Sequence, residues 1–268
     1  MSRLLAGWVF EPSVLIGLAA LTVGYALVIG PLRRKYNWGE PVGVGQQIAF
    51  YLGVLAVFIA LISPLDALAA HTLFSAHMAQ HMLLTFIAPP LWLLGTPEWL
   101  VKLMAPPGPL RFITRRLTHP IMAFVLFNGT MWGWHVPAAY EAALRDQTLH
   151  IVEHVLFMGT GVLGWWPVIN RLPDVSKRLS QPMQVMYLFA MLFPCTALAA
   201  LITLSPTRLY PFYGDAPLMF GLPPMQDQVL AGLIMWLPGD MILVSSIIVV
   251  LKRWLFDQPK LEGLGAGG

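Results

Sequence analysis

The sequence predicts an all-α, polytopic membrane protein built as a bundle of seven transmembrane helices. Three observations predict this class. First, 57% of the 268 residues are hydrophobic and only 11% are charged, whereas an ordinary soluble domain has roughly 25% charged residues. Second, the chain contains seven apolar windows long enough to cross a bilayer. Third, most of its few cations collect on one side of the predicted bundle.

The same composition excludes other classes of protein. With a mean hydropathy of +0.68, the chain has too few charged side chains to cover a soluble fold of this size. Intrinsic disorder is excluded because there is ample apolar surface to bury. A disulfide-stapled module is excluded by the single cysteine, Cys195. No composition shift or low-complexity tract divides the chain, so residues 1–268 are predicted to form one integral membrane domain.

Each predicted span holds about 20 largely apolar residues, the length that crosses the hydrocarbon core. The predicted spans cover residues 13–30, 46–62, 72–94, 120–136, 147–168, 183–204 and 228–250. Pro12, directly after Glu11, opens the first span at a position where proline favours a helix start. No signal-peptide cleavage pattern is visible there, so we expect the first span to be retained. Internal residues such as Pro194 and Pro238 are compatible with membrane helices when neighbouring groups satisfy the freed backbone.

The distribution of cations predicts the orientation of the bundle. Thirteen of the 16 Lys and Arg residues fall in three loops and the C-terminal tail, all on one side. The loops are 31–45, 95–119 and 169–182, and the cations are Arg33, Arg34, Lys35, Lys102, Arg111, Arg115, Arg116, Arg171, Lys177, Arg178, Lys252, Arg253 and Lys260. The other side holds Arg3, Arg145 and Arg208. The positive-inside rule then places the N-terminus outside and the C-terminus in the cytoplasm, which requires an odd number of spans. Because these cations act as membrane anchors, the expected partner is the lipid bilayer and not nucleic acid.

Six of the seven histidines fall near the predicted outer face. His77 and His81 in the third span are four residues apart, which places both rings on one helix face, about 40° apart. His150 and His154 repeat this spacing in the fifth span. An i, i+4 pair of imidazoles is a common way for one helix to offer two ligands to a metal ion. The two pairs, together with His135 at the outer end of the fourth span, therefore predict a metal site.

Other side chains are candidates to complete or support this site. They are Asp66, His71, Met78, Met82, Glu153, Asp227 and Met235. Glu153 follows His150 by three residues and is suited to accept the second ring N–H of a ligand imidazole. Neutral imidazole suits copper, zinc and iron, and thioether sulfur selects for Cu(I). Taken singly, the methionines are interpreted as packing residues, with one or two as candidate ligands. His119, on the cytoplasmic side, is interpreted as an ordinary interfacial residue.

Two polar residues near mid-membrane have structural interpretations. Asp240 follows Pro238-Gly239 in the seventh span and is interpreted as a hydrogen-bonded structural carboxylate, with a proton path as the alternative. Cys195 is interpreted as a small apolar filler, although Cu(I) would accept its thiolate.

Several short motifs follow one another through spans two to seven. They are Ser63-Pro-Leu-Asp66, Phe74-Ser-Ala-His77-Met-Ala-Gln-His81-Met, Trp134-His135-Val-Pro137, His150-Ile-Val-Glu153-His154, Leu209-Tyr-Pro-Phe-Tyr213, Gln226-Asp227-Gln228 and Gly232-Leu-Ile-Met235-Trp236. Together they resemble the CtaG family of caa-type cytochrome oxidase assembly factors. A single H-x-x-x-H motif is a weak signal, whereas the order of several motifs is specific.

The resemblance implies a seven-span protein of the bacterial cytoplasmic (inner) membrane that is needed to make a haem–copper oxidase and handles copper. The motif residues carried over by position are Asp66, His71, His77, His81, His135, His150, Glu153, His154 and Asp227. The implied cofactor is copper, as Cu(I) or Cu(II). The implied partners are apo cytochrome c oxidase subunits and periplasmic or other extracytoplasmic copper chaperones.

The preferred hypothesis is a non-enzymatic, copper-binding assembly factor that helps to deliver or insert copper into a cytochrome c oxidase. The alternative is a haem-b-binding redox subunit with histidine axial ligands. Two-haem proteins usually set their ligands far apart along each helix, whereas the spacing of four residues favours a compact metal centre. A copper permease is a third hypothesis. Apart from Cys195 and Asp240, no chain of ligands or carboxylates crosses from the histidines to the cytoplasmic face, which argues against it.

Overall fold

The computed structural model describes residues 7–8, 10–169 and 178–256, and these residues form helices and connecting turns with no strand. The predicted all-α fold class is therefore confirmed. The helices are α1 Pro12–Tyr36, α2 Val44–Leu61, α3 Pro64–His71, α4 Phe74–Gly95, α5 Glu98–Met104, α6 Pro109–Leu117, α7 Pro120–Trp134, α8 Pro137–Arg145, α9 Gln147–Ile169, α10 Gln181–Leu204 and α11 Pro224–Phe256. Four cations used to predict the orientation, Arg3, Arg171, Lys177 and Lys260, lie outside the described residues.

Six of these helices are long and apolar enough to cross a membrane. They are α1, α2, α4, α9, α10 and α11. The protein is therefore a multi-pass membrane protein, and six of the predicted spans are helices at nearly the predicted positions. The largest differences lie at the ends of the chain, where α1 runs on to Tyr36 and α11 extends from Pro224 to Phe256.

The start of the predicted loop 31–45 is helical. Arg33, Arg34 and Lys35 form the last turn of α1, and the helix ends at Asn37, which has a left-handed φ of 51°. The chain passes Pro31 through a π-helical turn, Val28–Leu32, which accommodates the missing N–H of proline without ending the helix. Cations in a last turn interact favourably with the negative end of the helix dipole.

The remaining predicted span, 120–136, corresponds to α7, a helix of 15 residues. Fifteen residues extend about 22 Å, which is less than the thickness of the hydrocarbon core. The N-terminal halves of α4 and α9 nevertheless lie side by side. The chain that leaves the C-terminal end of α4 must therefore cross the bundle again before α9 begins, and α7 lies on that path. This geometry supports seven crossings. Both the count of seven and the orientation remain predictions.

Helix α4 is the centre of the bundle. In its most apolar window 56% of the residues are buried, compared with 6% for α1. A π-helical turn, Leu83–Ile87, interrupts α4 just before Pro89, whose ring displaces the carbonyl four residues earlier, that of Thr85.

Helix α9 packs closely against this turn of α4. A Cβ atom placed on Gly161 would lie 2.8 Å from Pro89 Cγ and 3.0 Å from the carbonyl oxygen of Thr85. Only glycine therefore permits this approach, which aligns the histidine-bearing ends of α4 and α9.

Candidate metal centre

Helices α4 and α9 bring the two predicted histidine pairs together. The ring centroids of His77 and His81 are 4.1 Å apart, and those of His150 and His154 are 4.2 Å apart. Between the helices, His77 lies 5.4 Å from His150, and His81 lies 5.6 Å from His154. The helical spacing that motivated the prediction therefore produces one compact group of four imidazoles.

Glu153 lies at the centre of this group. Its carboxylate, His77 and His81 offer ligand atoms that all lie within 4.8 Å of one another, and so do His150, Glu153 and His154. Glu153 and His77 have no exposed surface, and the other three side chains are also buried. We call these five residues, from His77 to His154, the imidazole–carboxylate cluster.

The cluster contains buried polar atoms that lack hydrogen-bond partners. Among the described residues, both ring nitrogens of His77 and of His81, both carboxylate oxygens of Glu153, and Nε2 of His150 and of His154 have none. Glu153 Oε1 lies 3.8 Å from His81 Nε2, which is too far for a hydrogen bond. Buried groups of this kind cost several kcal/mol unless they are paired or bind a metal. The donor set therefore fits a copper or zinc ion, because both metals accept imidazole and carboxylate ligands.

A cavity beside the cluster gives a route to it. The cavity has a volume of about 660 Å³ and is lined by His150 and His154 together with Glu11, Asp66 and His71. His71 is the last residue of α3 and is exposed, so it does not belong to the third span. The predicted supporting residues Asp66 and His71 therefore line an approach and are not among the grouped ligand atoms.

Asp66 has a second contact that positions α4. Gln80 Nε2 donates one hydrogen bond to Asp66 Oδ1 at 2.7 Å and another to the carbonyl oxygen of Ala60 at 2.8 Å. Burial raises the pKa of the Asp66 carboxyl, and the hydrogen bond from Gln80 opposes that shift. Gln80 is not among the residues predicted from the sequence, although its place between the two histidines of α4 singles it out as a polar residue within a span.

Asp227 supports the start of α4. It lies in the first turn of α11, and its carboxylate accepts hydrogen bonds from the backbone N–H groups of Phe74 and Ser75 at 2.7 and 3.2 Å. It also accepts one from Ser75 Oγ at 2.5 Å. The first N–H groups of a helix have no partner within the helix, and a negative charge there is favourable. Asp227 therefore caps the helix that carries His77 and His81, instead of approaching their rings.

Three tyrosines cover the cluster. Tyr213 donates its hydroxyl proton to the carbonyl oxygen of Ala69 at 2.8 Å, so Tyr140 must be the donor in the 2.9 Å hydrogen bond between the two hydroxyl groups. The ring of Tyr140 lies 5.0 Å from that of His77. Tyr210 donates to the carbonyl oxygen of His135 at 2.7 Å. Burial raises the pKa of Tyr210 and Tyr213, which therefore remain protonated donors.

These tyrosine roles were not identified in the sequence, where Tyr210 and Tyr213 were only part of a motif. Gln228 explains how their segment is held in place. Its Oε1 accepts from Leu209 N at 2.7 Å, and its Nε2 donates to the carbonyl oxygen of Thr207 at 3.0 Å. The segment is thereby fixed to the first turns of α11.

His135 is near His81 but is not part of the imidazole–carboxylate cluster. Their ring centroids are 6.2 Å apart, and His135 Nε2 faces the sulfur of Met78 at 3.4 Å. Met78, Met82 and Met235 line the same small void as His135, together with Met131, which the sequence analysis did not select. The predicted ligands therefore fall into two neighbouring groups.

The structure also places the two mid-membrane polar residues. Thr196 Oγ1 lies 2.9 and 3.0 Å from the two carboxylate oxygens of Asp240, to which it donates. Cys195 is buried in the apolar core. Both positions agree with the structural interpretations given to these residues.

The known proteins that resemble this chain are longer than it is. The chain is 29% identical to uncharacterized proteins of Mycobacterium bovis and Mycobacterium tuberculosis, in each case over 95% of this chain and 40% of the relative. It is 26% identical to an uncharacterized protein of Mycobacterium leprae, over 94% of this chain and 40% of that protein. The chain thus spans about two-fifths of the length of these curated relatives. No solved structure matches.

The family comparison agrees with the motifs. The model of the cytochrome c oxidase caa3 assembly factor family matches residues 23–256, a range that includes every helix from α2 to α11 and most of α1. The chain belongs to the cytochrome c oxidase caa3 assembly factor (CtaG) family.

Proposed function

We propose that this protein is an assembly factor that binds a copper ion at the imidazole–carboxylate cluster and delivers it to an apo cytochrome c oxidase subunit in the same bilayer. The observation that carries the proposal is the group of buried donor atoms without hydrogen-bond partners contributed by His77, His81, Glu153 and the His150/His154 pair. The family supports the target of delivery, because a haem–copper oxidase needs copper during its assembly.

The geometry of the cluster suits a cargo ion. His150 and His154 line the 660 Å³ cavity, so an incoming ligand has access to the metal from one side. Glu153 belongs to both groups of ligand atoms, and its charge offsets part of the charge of a bound cation. Exchange of ligands needs an accessible side, and a fully enclosed structural metal site would lack one.

In this proposal the protein lies in the bacterial cytoplasmic membrane and is not an enzyme. The predicted orientation places the cluster near the outer leaflet, so copper arrives from an extracytoplasmic chaperone through the cavity lined by Asp66 and His71. The apo-oxidase subunit then receives the ion by lateral contact within the membrane.

A haem b site fits the cluster less well. Two axial imidazoles must stand on opposite faces of a flat macrocycle with clear space between them. The rings of His77 and His81 contact each other, as do those of His150 and His154. Across the gap between α4 and α9, the centroids of facing rings are only 5.4 and 5.6 Å apart.

For a copper permease, the residues that the structure describes offer no continuous path of ligands across the bundle. A second cavity of about 800 Å³, lined by Glu98, Arg178 and Arg253, lies at the opposite end of the bundle. The apolar ring of Phe86 separates it from the void beside His81, and Phe127 packs against Phe86 with centroids 5.6 Å apart.

The proposal is tested by copper analysis of the purified full chain and of the variant His150→Ala/His154→Ala. We expect the wild-type protein to retain copper through dialysis and the double variant to lose it. The matched control is His119→Ala, which removes an exposed histidine at the start of α7. In cells, the double variant should lower the copper-to-haem ratio of the assembled oxidase, while His119→Ala should not.

Two results would overturn the proposal. One is equal copper content in the wild-type protein and the double variant. The other is a Soret band in the optical spectrum of the pure protein that disappears in the double variant, which would support the haem alternative.

A further inference from the structure

A second group of donor atoms lies next to the imidazole–carboxylate cluster. Four methionines from three helices, α4, α7 and α11, surround one internal void of about 10 Å³, which is close to the smallest space that holds one water or small ion. The four methionines are Met78, Met82, Met131 and Met235, and His81, His135 and Phe86 complete the lining. All four methionines are buried.

The hydrogen bonding of His135 leaves a lone pair directed at sulfur. His135 Nδ1 lies 2.6 Å from the carbonyl oxygen of Met131, which only accepts, so the ring proton resides on Nδ1. In the neutral ring, Nε2 then carries a lone pair, and it faces the sulfur of Met78 at 3.4 Å. A thioether has no proton to donate. Two electron-pair donors therefore face each other without a proton between them.

Another buried methionine shows the contrasting arrangement. Met191 is as buried as Met78, but its sulfur accepts a hydrogen bond from Asn128 Nδ2 at 3.5 Å. Met191 is thus satisfied by a neighbouring donor, as expected for a packing residue. Met78 and His135 instead need a third group that accepts electron pairs from both atoms.

We propose that this void, lined by Met78, Met82, Met131, Met235 and His135 and called the thioether site below, binds one soft monovalent cation, Cu(I). Thioether and imidazole are the ligands that Cu(I) prefers. No carboxylate lines the void, so the lining itself supplies no negative charge to offset a divalent ion. This inference goes beyond the proposed function, because it assigns a second ion and its oxidation state and does not require the imidazole–carboxylate cluster to bind copper.

His81 connects the two groups of donors. Its ring contacts His77 in the cluster and also lines the void beside His135. The two sites therefore share one side chain, and an ion bound at either site lies next to a ligand of the other.

Silver(I) is a redox-inert probe for this site, and zinc(II) is a probe for the cluster. In the detergent-purified full chain with ¹³C-labelled methionine methyl groups, we expect Ag(I) to shift the resonances of Met78, Met82, Met131 and Met235. Zinc(II) bound at the cluster should shift these resonances far less than Ag(I), because it does not coordinate their sulfur atoms. If Ag(I) shifts them no more than Zn(II) does, the thioether site does not exist as proposed.

A variant pair provides the second test. Met78→Leu/Met235→Leu keeps the side-chain volume nearly unchanged, and we expect it to lower Ag(I) affinity at least about tenfold while Zn(II) binding is retained. Met191→Leu is the matched control and should change neither. An unchanged Ag(I) affinity in the double variant would overturn the inference.

The two proposals fail separately. The variant His150→Ala/His154→Ala should retain Ag(I) at the thioether site and lose Zn(II). If the wild-type chain binds Ag(I) at the methionines but no copper or zinc at the cluster, the proposed function fails and this inference stands. If the wild-type chain binds copper or zinc at the cluster but no Ag(I) at the methionines, this inference fails and the proposed function stands.

Discussion

The two donor groups differ in chemistry although one helix supplies both. Helix α4 carries His77 and His81 toward α9, whereas Met78 and Met82 are rotated by about 100° and face α7 and α11. The imidazole–carboxylate cluster contains a buried carboxylate and opens to a cavity, while the thioether site has neither. In the two proposals, a shift of one residue along a single helix separates the donor atoms for two ions of unlike charge and softness.

Asp227 is the residue on which both groups depend, so its removal should have the largest effect. We expect Asp227→Ala to lower the free energy of unfolding by about 3 kcal/mol, because three donors at the start of α4 lose a charged acceptor. Both Zn(II) and Ag(I) binding should weaken together. Chemical unfolding in detergent and metal titration measure these changes.

The control for this variant is Asp215→Ala. Asp215 is an exposed aspartate whose Oδ1 lies 3.5 Å from Arg208 Nη2, and exposed pairs contribute about 0–1 kcal/mol. Equal effects of the two substitutions, or the loss of one metal site without the other, would contradict the capping role.

Glu153→Gln should weaken metal binding at the imidazole–carboxylate cluster and leave the thioether site unchanged. It removes a charge from the cluster at constant shape, and we expect Zn(II) or Cu(II) affinity to fall by about 10–100-fold, or about 1.4–2.7 kcal/mol. Ag(I) binding at the thioether site should not change. Without metal, the variant should be more stable than the wild type, because a buried carboxylate without a hydrogen-bond partner is removed.

Glu98→Gln is the control for this charge. Glu98 pairs with Lys102 at 2.6 Å on an exposed helix, and its substitution should change neither affinity nor stability to a comparable degree. A Glu153→Gln variant that is less stable without metal would show that the carboxylate has a purely structural partner.

Gly161→Ala should disturb the spacing of α9 from α4 and leave the thioether site nearly intact. The added methyl group would lie 3.0 Å from the carbonyl oxygen of Thr85, which is backbone and cannot turn away. We expect a loss of stability of about 1.5 kcal/mol and weaker Zn(II) binding.

Gly159→Ala provides the comparison for that substitution. Gly159 lies on the same helix, and a Cβ placed there meets nothing within 4 Å. Because alanine favours helix over glycine, this control should be neutral or stabilising. Similar Zn(II) affinities in the two variants would show that helix spacing does not determine the cluster.

Tyr213→Phe should have the smallest effect. It removes the hydroxyl group that links Tyr140 to the carbonyl oxygen of Ala69, which is worth about 1 kcal/mol. Tyr36→Phe, on an exposed tyrosine, should have no effect on unfolding. A Tyr213→Phe variant as stable as Tyr36→Phe would show that the tyrosine cover does not stabilise the cluster.

Much of the candidate site was predictable because it is encoded locally. The spacing of His77 from His81 and of His150 from His154 determines which rings share a helix face. Met131 and Gln80 were missed because an apolar or amide side chain within a span has no pattern that distinguishes a ligand or a positioning residue from packing. Asp227 was selected as a supporting residue, but its role as the cap of α4 depends on a contact between residues about 150 positions apart.

The sequence by itself determined the membrane class, the six long apolar helices and the two histidine pairs, because composition and helical periodicity are properties of short segments. The tertiary structure decided which donors meet. It placed Glu153 between the two pairs, turned His135 toward Met78 and divided the predicted ligands into two groups. The physical reason is that helix packing, through close contacts such as that of Gly161 with α4, determines distances between side chains far apart in the chain.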